Sequence, residues 1–148
     1  MTTTLTERDL ARLKGVHPKL VEIIHAAAKD PSCPPFQVIE GVRTLDRQKE
    51  LVAKGASRTL NSMHIPKSDG FGRAVDLVPL PVNWNDIPSF KKLKASILAA
   101  AKQRKLRVRS GADWDENGVV DAEELAAYIK KFGRRPLVDW PHFEIHGV

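Results

Sequence analysis

The chain has a single cysteine, Cys33, set in Pro31-Ser32-Cys33-Pro34-Pro35. One thiol rules out an intrachain disulfide, and without a second cysteine nearby Cys33 reads as a structural or incidental thiol rather than a nucleophile. No apolar run approaches the roughly 18 residues that a membrane-crossing helix needs. The start, Met1-Thr2-Thr3-Thr4-Leu5, has neither the basic stretch nor the apolar core of a secretory signal. Internal repeats and low-complexity segments are missing, which excludes a solenoid. Acidic residues are the minority, 18 against 24 Lys plus Arg, for a net charge of +6. That sign suits nucleic acid, a membrane surface or an anionic wall polymer, and it also suits plain solubility. Aromatics are only 6% of the chain and the basic residues are scattered, so there is no basic patch interleaved with aromatics, and nucleic-acid binding is disfavoured.

What is present fits one globular domain over residues 1–148, with 42% apolar residues for a single core. Thr6-Glu7-Arg8-Asp9 predicts a capping-box start for a helix to about Lys14, closed by Gly15. His17-Pro18 opens a second helix with Leu20, Ile23, Ile24 and Ala27 on one face. Phe36–Glu40 reads as a strand, Asp46–Lys54 as a helix and 56–71 as loop. Ala74–Val78 reads as a strand with Ala74, Asp76 and Val78 on one face and Val75 and Leu77 on the other. Phe90–Gln103 reads as a helix, Leu106–Val108 as a short strand, Asp121–Phe132 as a helix and His142–His146 as a last strand. Without a βαβ rhythm, this order predicts an α+β domain, a small antiparallel sheet flanked by helices.

Three polar clusters stand out: Ser62-Met63-His64, Gly72-Arg73-Ala74-Val75-Asp76 and Asp139-Trp140-Pro141-His142-Phe143-Glu144. A hydrolytic zinc site wants three protein ligands, usually His nitrogens and a carboxylate, with one open position for water. Two histidines and an aspartate on strand ends and a loop can supply them. A general base must reach that water, and Asp139 stands three residues before His142 with the stiff Trp140-Pro141 between. Read from residue types alone, His64 and His142 fit satisfied structural histidines better than metal ligands.

The order Ser62-x-His64, Gly72-x-Ala74-x-Asp76, Asp139-x-x-His142-Phe143-Glu144 resembles the D-Ala-D-Ala carboxypeptidase/VanY-like metallopeptidase family. Within it, phage endolysins with L-alanyl-D-glutamate peptidase activity are the most similar. The resemblance runs nearly end to end, through Leu10–Pro18 and through Glu40-Gly41-Val42-Arg43-Thr44 with Gln48. It implies that His64, Asp76 and His142 bind Zn²⁺ and that Asp139 is the general base. It also implies that Arg43 faces the substrate carbonyl or carboxylate, where a fixed cation stabilises developing charge; the alternative for Arg43 is a surface salt bridge. Ser62, Gln48 and His146 are expected substrate contacts, although His146 equally fits a solvated terminal residue. One departure is the longer spacing between His64 and Gly72, filled here by residues 65–71. It brings Asp69 closer in sequence as a rival carboxylate, but a ligand on a strand is held more rigidly, which favours Asp76.

A second metal signal lies at 113–124. Asp113, Asp115, Asn117, Val119, Asp121 and Glu124 fill the liganding positions of a 12-residue EF-hand calcium loop, with Gly118 at the sharp turn. A strand rather than a helix precedes it, so the expectation is an EF-hand-like loop inserted in the domain. The alternative is an acidic surface loop that caps the following helix.

The resemblance implies a zinc-dependent peptidoglycan endopeptidase cutting the L-Ala–D-Glu bond of stem peptides during host lysis, and the loop at 113–124 suggests calcium as an activator. A D,D-carboxypeptidase or dipeptidase on the same scaffold, or a non-catalytic zinc-bearing wall-binding module, are the competing readings. Bacterial peptidoglycan is the expected partner, with no nucleic acid and no stable membrane insertion, for a monomer. With no signal sequence, synthesis is expected in the host cytoplasm. Action in the periplasm and wall would then depend on permeabilisation by another factor such as a holin.

Overall fold

The computed structural model describes residues 3–55, 62–114, 116, 123, 125–133 and 138–148. In chain order the elements are α1 Glu7–Leu13, α2 Pro18–Lys29, β1 Phe36–Glu40, α3 Leu45–Ala53, β2 Ala74–Pro79, α4 Ile87–Gln103, β3 Arg107–Ser110, α5 Leu125–Phe132 and β4 His142–His146. The strands form one antiparallel sheet in the order β1-β2-β4-β3. This is the α+β arrangement that the sequence predicts. Among the described residues no helix is long and apolar enough to cross a membrane.

Alternation along β2 and β4 divides the sheet into two faces. Val75 and Leu77 of β2, with Phe143 and Ile145 of β4, are fully buried against Leu20, Ile23 and Ile24 of α2 and Leu93 and Ile97 of α4. Burying each such side chain contributes about 1.5–3 kcal/mol, so this face holds the fold together. Asp76, His142 and Glu144 point to the opposite face, with Asp76 directly across from His142 and Ala74 across from Glu144.

β1 carries a register shift that matters for the site. Val38 pairs with Leu77, but Glu40, two residues on, pairs with Asp76, one residue on. The extra residue, Ile39, is a bulge, and it turns Glu40 from the core face of Val38 to the face of Asp76. β1 is also an edge strand, and α1 covers it. Asp9 Oδ1 accepts the Val38 amide (2.9 Å) and Arg12 Nη1 donates to the Val38 carbonyl (2.8 Å). Thr6 and Asp9 form the expected capping box at the start of α1.

Two elements, α4 and the third strand, differ from the sequence reading by more than one residue. α4 starts three residues earlier than expected, because Asp86 caps it: its carboxylate accepts the Ser89 amide and hydroxyl. The third strand is Arg107–Ser110 rather than Leu106–Val108. The Leu106 amide is taken by the Ala101 carbonyl as α4 ends, whereas Arg109 and Ser110 pair with Glu144 and Phe143. The last helix is described from Leu125; its expected start at Asp121 lies outside the described residues.

Candidate active site

Three segments deliver one side chain each to the polar face of the sheet. Asp76 comes from the middle of β2 and His142 from the first residue of β4. His64 comes from a turn held on both sides: its carbonyl accepts the Arg43 amide (2.9 Å), and the neighbouring Met63 carbonyl accepts the Arg73 amide (2.7 Å). Ser62 Oγ accepts the His64 amide (3.2 Å) and fixes the turn. Gly72 belongs here for steric reasons, since a Cβ on it would stand 2.8 Å from the His64 carbonyl oxygen.

Residues 65–71 loop out and close on themselves, with the Gly70 amide on the Lys67 carbonyl and the Lys67 amide on the Phe71 carbonyl. His64 and Gly72 therefore meet despite the longer spacing. Asp69 is turned away from the histidines and pairs with Arg73 (Nη2 to Oδ2, 2.7 Å). The guanidinium holds the Asp69 carboxyl well below the usual carboxylate range. Asp69 is thus not the partner of His64; Asp76 is.

The three donor atoms form a nearly equilateral triangle. His64 Nε2 lies 3.2 Å from His142 Nδ1 and 3.3 Å from Asp76 Oδ1, and His142 Nδ1 lies 3.4 Å from Asp76 Oδ1. Asp76 Oδ1 is buried and makes no hydrogen bond. A buried carboxylate oxygen without a partner is costly unless a cation or proton meets it. A tetrahedral ion with bonds of about 2.0–2.1 Å has ligand–ligand edges of about 3.3 Å, which this triangle matches. The same three residues are the metal-competent group among the described residues.

The outer nitrogens are tied down so that the inner ones face the centre. His64 Nδ1 lies 2.7 Å from the Gly41 carbonyl oxygen, so it is the protonated nitrogen and leaves Nε2 as the donor. His142 Nε2 lies 2.8 Å from Glu144 Oε1, which leaves Nδ1 as the donor. Such partners orient ligating histidines and raise their basicity. Glu144 Oε2 in turn accepts from Arg109 Nη2 (2.8 Å) and His146 Nε2 (2.5 Å). Arg109 also stacks over Trp114, whose ring lies 5.4 Å from the His142 ring.

Electrostatics agree with a cation site. Burial opposes charge on Asp76, but contacts with His142 and His64 and their charge override it and hold its carboxyl below the usual range. Burial likewise opposes charge on His142, but Asp76 and Glu144 push its pKa up to about 9. Glu144 is pulled down to about 2 by His142, Arg109 and His146, against its own burial. Asp139 goes the other way: burial first, then the charge of Asp76, raises its pKa. A partly buried carboxylate with a raised pKa is a stronger base. Its backbone is pinned at 2.9 Å to the Gly111 carbonyl, and a Cβ on Gly111 would stand 2.2 Å from the Asp139 carbonyl oxygen.

Arg43 lies beside the triangle, with Nη2 3.5 Å from Asp76 Oδ2. Glu40 grips it through two bonds of 2.9 Å, and Gln48 Oε1 accepts Nη1 at 2.8 Å. Gln48 is fully buried behind the guanidinium and helps hold Arg43 in place. His146 is partly buried, on Glu144 rather than on the triangle. His17 caps α2 through Nδ1, away from the site.

Glu40, Glu144 and Arg109 were not singled out by role from the sequence. The two-residue offset of Glu144 from His142 marks a shared face and was the available signal. The bulge that turns Glu40 inward left none. Of the calcium-loop positions, Asp113 is buried directly after β3, its amide on the Ser110 carbonyl (3.1 Å). Asp115, Asn117, Val119, Asp121 and Glu124 lie outside the described residues.

The chain is similar to known proteins over most of its length. The sequence profile of the family described as phage L-alanyl-D-glutamate peptidase matches residues 1–145. The L-alanyl-D-glutamate peptidase of Escherichia phage T5 is 29% identical over 119 residues, covering 76% of this chain and 80% of its own. Among solved structures, the Serratia marcescens L-Ala D-Glu endopeptidase ChiX superposes with a TM-score of 0.71 at 31% identity, covering 97% of this chain and 89% of that one.

Proposed function

The chain belongs to the phage L-alanyl-D-glutamate peptidase family, and from that premise we propose that it is a zinc-dependent endolysin cutting the L-Ala–D-Glu bond of peptidoglycan stem peptides. The observation that carries the reading is the triangle of His64 Nε2, Asp76 Oδ1 and His142 Nδ1, with the Asp76 oxygen left without a hydrogen bond. Two imidazoles and one carboxylate at tetrahedral edge lengths suit zinc better than the oxygen-only shells of magnesium or calcium. A zinc ion held there would supply Lewis-acid polarisation of the scissile carbonyl and acidify a water molecule.

The protein's own residues do the rest. Asp139, with its raised pKa, takes a proton from the attacking water and returns it to the leaving amine of D-Glu. Arg43, locked by Glu40 and Gln48, presents a fixed cation to the oxygen that gains charge, or to the D-Glu carboxylate. Ser62 holds His64 and stands at the cleft as a substrate contact, and His146 contributes through Glu144. The net charge of +6 favours the anionic wall at low salt.

Calcium is the second part of the proposal. Asp113, Asp115, Asn117, Val119, Asp121 and Glu124 hold it, as an activator of the enzyme. Support comes from the filled liganding positions and from the contact of Trp114 with His142. The protein acts as a monomer, made in the host cytoplasm and released to the wall once a holin-like factor opens the membrane.

Mass spectrometry of digested peptidoglycan tests the bond: new N-terminal D-Glu is expected, and loss of terminal D-Ala instead would mean a carboxypeptidase. Metal analysis should give one zinc per wild-type chain and none in His64→Ala or His142→Ala. Asp139→Ala should keep its zinc and lose activity by about 10²–10⁴-fold; lysis at wild-type rate would mean another base. A chelator selective for calcium over zinc should abolish wall hydrolysis, and no effect would remove calcium from the mechanism.

A further inference from the structure

Arg73 stands just before β2 and is buried, with 6% of its surface exposed. A buried cation is costly unless its donors all meet acceptors. Here they do. Nε donates to the Val148 carbonyl (3.2 Å), and Nη1 donates to Asp69 Oδ1 and to the Phe71 carbonyl (3.0 Å each). Nη2 donates to Asp69 Oδ2 (2.7 Å) and to the Val148 carbonyl (3.0 Å). Those bonds use the whole guanidinium fork.

The main chain at Arg73 touches all three segments that carry the metal-competent residues. Asp76 follows on the same strand. The Arg73 amide donates to the Met63 carbonyl, next to His64, and the Arg73 carbonyl accepts the Ile145 amide of β4, the strand that His142 begins. The side chain adds a link that the main chain does not make. It joins the loop after His64, at Asp69 and Phe71, to Val148 beyond the end of β4.

The loop needs such a link. Residues 65–71 leave at His64 and return at Gly72, and the two ends touch, since a Cβ on Gly72 would stand 2.8 Å from the His64 carbonyl oxygen. Motion of the loop is therefore delivered to its ends, and one end is a candidate ligand. The loop's own bonds close only its tip: the Gly70 amide on the Lys67 carbonyl, the Lys67 amide on the Phe71 carbonyl and the Phe71 amide on Asp69 Oδ1. It is fastened to the body at Phe71, which meets the His17 ring edge-on (5.8 Å), and at Asp69, which Arg73 grips by both oxygens.

We propose that Arg73 is a positioning residue of the metal centre: through Asp69 it braces the loop after His64 against the end of β4, and so holds the His64 and His142 nitrogens at their spacing. The inference rests on the zinc reading above. Donor atoms 3.2–3.4 Å apart suit the ion only while each keeps its bond length to within about 0.2 Å. A loop of this length cannot hold one of them so closely without an internal brace. Lysine is no substitute, because an ammonium lacks the planar fork that grips two carboxylate oxygens at once.

The test reads zinc affinity by chelator competition in wild type, Asp69→Asn, Arg73→Lys and the double variant. Asp69→Asn keeps the shape of an exposed side chain and leaves the core untouched. Each single variant is expected to bind zinc about tenfold more weakly. The double variant should lose no more than Arg73→Lys alone, because both changes open one brace. Lys67→Ala, exposed on the same loop, should bind as wild type does. Cobalt-substituted protein gives a spectroscopic reading: its visible bands report ligand geometry and should shift in both single variants.

A residue that only stabilises the fold would lower Tm and leave the affinity and the cobalt bands of the folded protein unchanged. Wild-type affinity in either single variant therefore overturns the brace, whatever its Tm. So does an additive loss of about a hundredfold in the double variant, or an equal loss in Lys67→Ala. If Arg73→Lys fails to fold, Asp69→Asn decides alone. A wild type that binds neither zinc nor cobalt sinks the zinc reading and the brace with it; a wild type that binds both, matched by its variants, sinks the brace alone.

Discussion

Three interactions of the site converge on Glu144. One oxygen orients His142, and the other is shared by Arg109 and His146. Glu144→Gln keeps the shape but removes the charge that makes His142 a strong donor. Zinc affinity, read by chelator competition, should fall about 10- to 100-fold, and Arg109→Ala should weaken it less because His146 remains. Unchanged affinity in Glu144→Gln would mean that His142 is oriented by its backbone alone. At this scale the ligands were legible because each sits in a short motif on a strand or turn. Asp69 was a fair rival by sequence distance, and only the Asp69–Arg73 pair removes it. The burial of Gln48 behind Arg43 depends on how α3 packs, which no local pattern reveals.

Among the elements, α1 has a role that its length hides. It has only seven residues, yet Asp9 and Arg12 satisfy both backbone groups of Val38 on the outer edge of the sheet. Asp9→Ala strips the Val38 amide of its partner and breaks the capping box. The expected cost is about 2 kcal/mol in denaturant unfolding at neutral pH. A change under 0.5 kcal/mol would show that water replaces the carboxylate freely. The capping box was readable as Thr6-x-x-Asp9, and the strands were readable from period-two alternation. The bulge at Ile39 was not, because Phe36–Glu40 alternates like any half-buried strand. Only the pairing with β2 shows that Glu40 has changed face. The third strand was misplaced for a related reason: β4, far away in sequence, sets its register.

At the level of the whole molecule, the acidic cluster links protonation to folding. His142 has its pKa raised from 6.5 to about 9 in the metal-free fold. Its folded value exceeds its unfolded one, so its contribution to stability is fully present below about pH 6.5 and lost as pH rises through about 9. Metal-free protein should therefore melt at a lower temperature at pH 9.5 than at pH 6.5. Zinc-loaded protein should hold its melting temperature, because the ion replaces the proton's charge and binds only the folded state. A metal-free melting temperature that rises over this interval would contradict the placement of Asp76 and Glu144 about His142. The strand order β1-β2-β4-β3 and the convergence of residues 64, 76 and 142 were not legible from local pattern. The family resemblance implied the convergence but not the strand order, and physically both are set by which apolar faces α2 and α4 cover.

Asp76 and His142 face each other across the two central strands, and His64 arrives from a separate segment. An ion held between them would be a removable crosslink through the middle of the sheet. Losing it would silence the enzyme and leave charges crowded in the one place where β2 and β4 must stay paired. The idle state should then be the short-lived one: amides of Val75 and Phe143 would exchange faster with solvent, and proteases would clear metal-free chains first. Metal supply would set both how fast each molecule works and how many molecules survive to work.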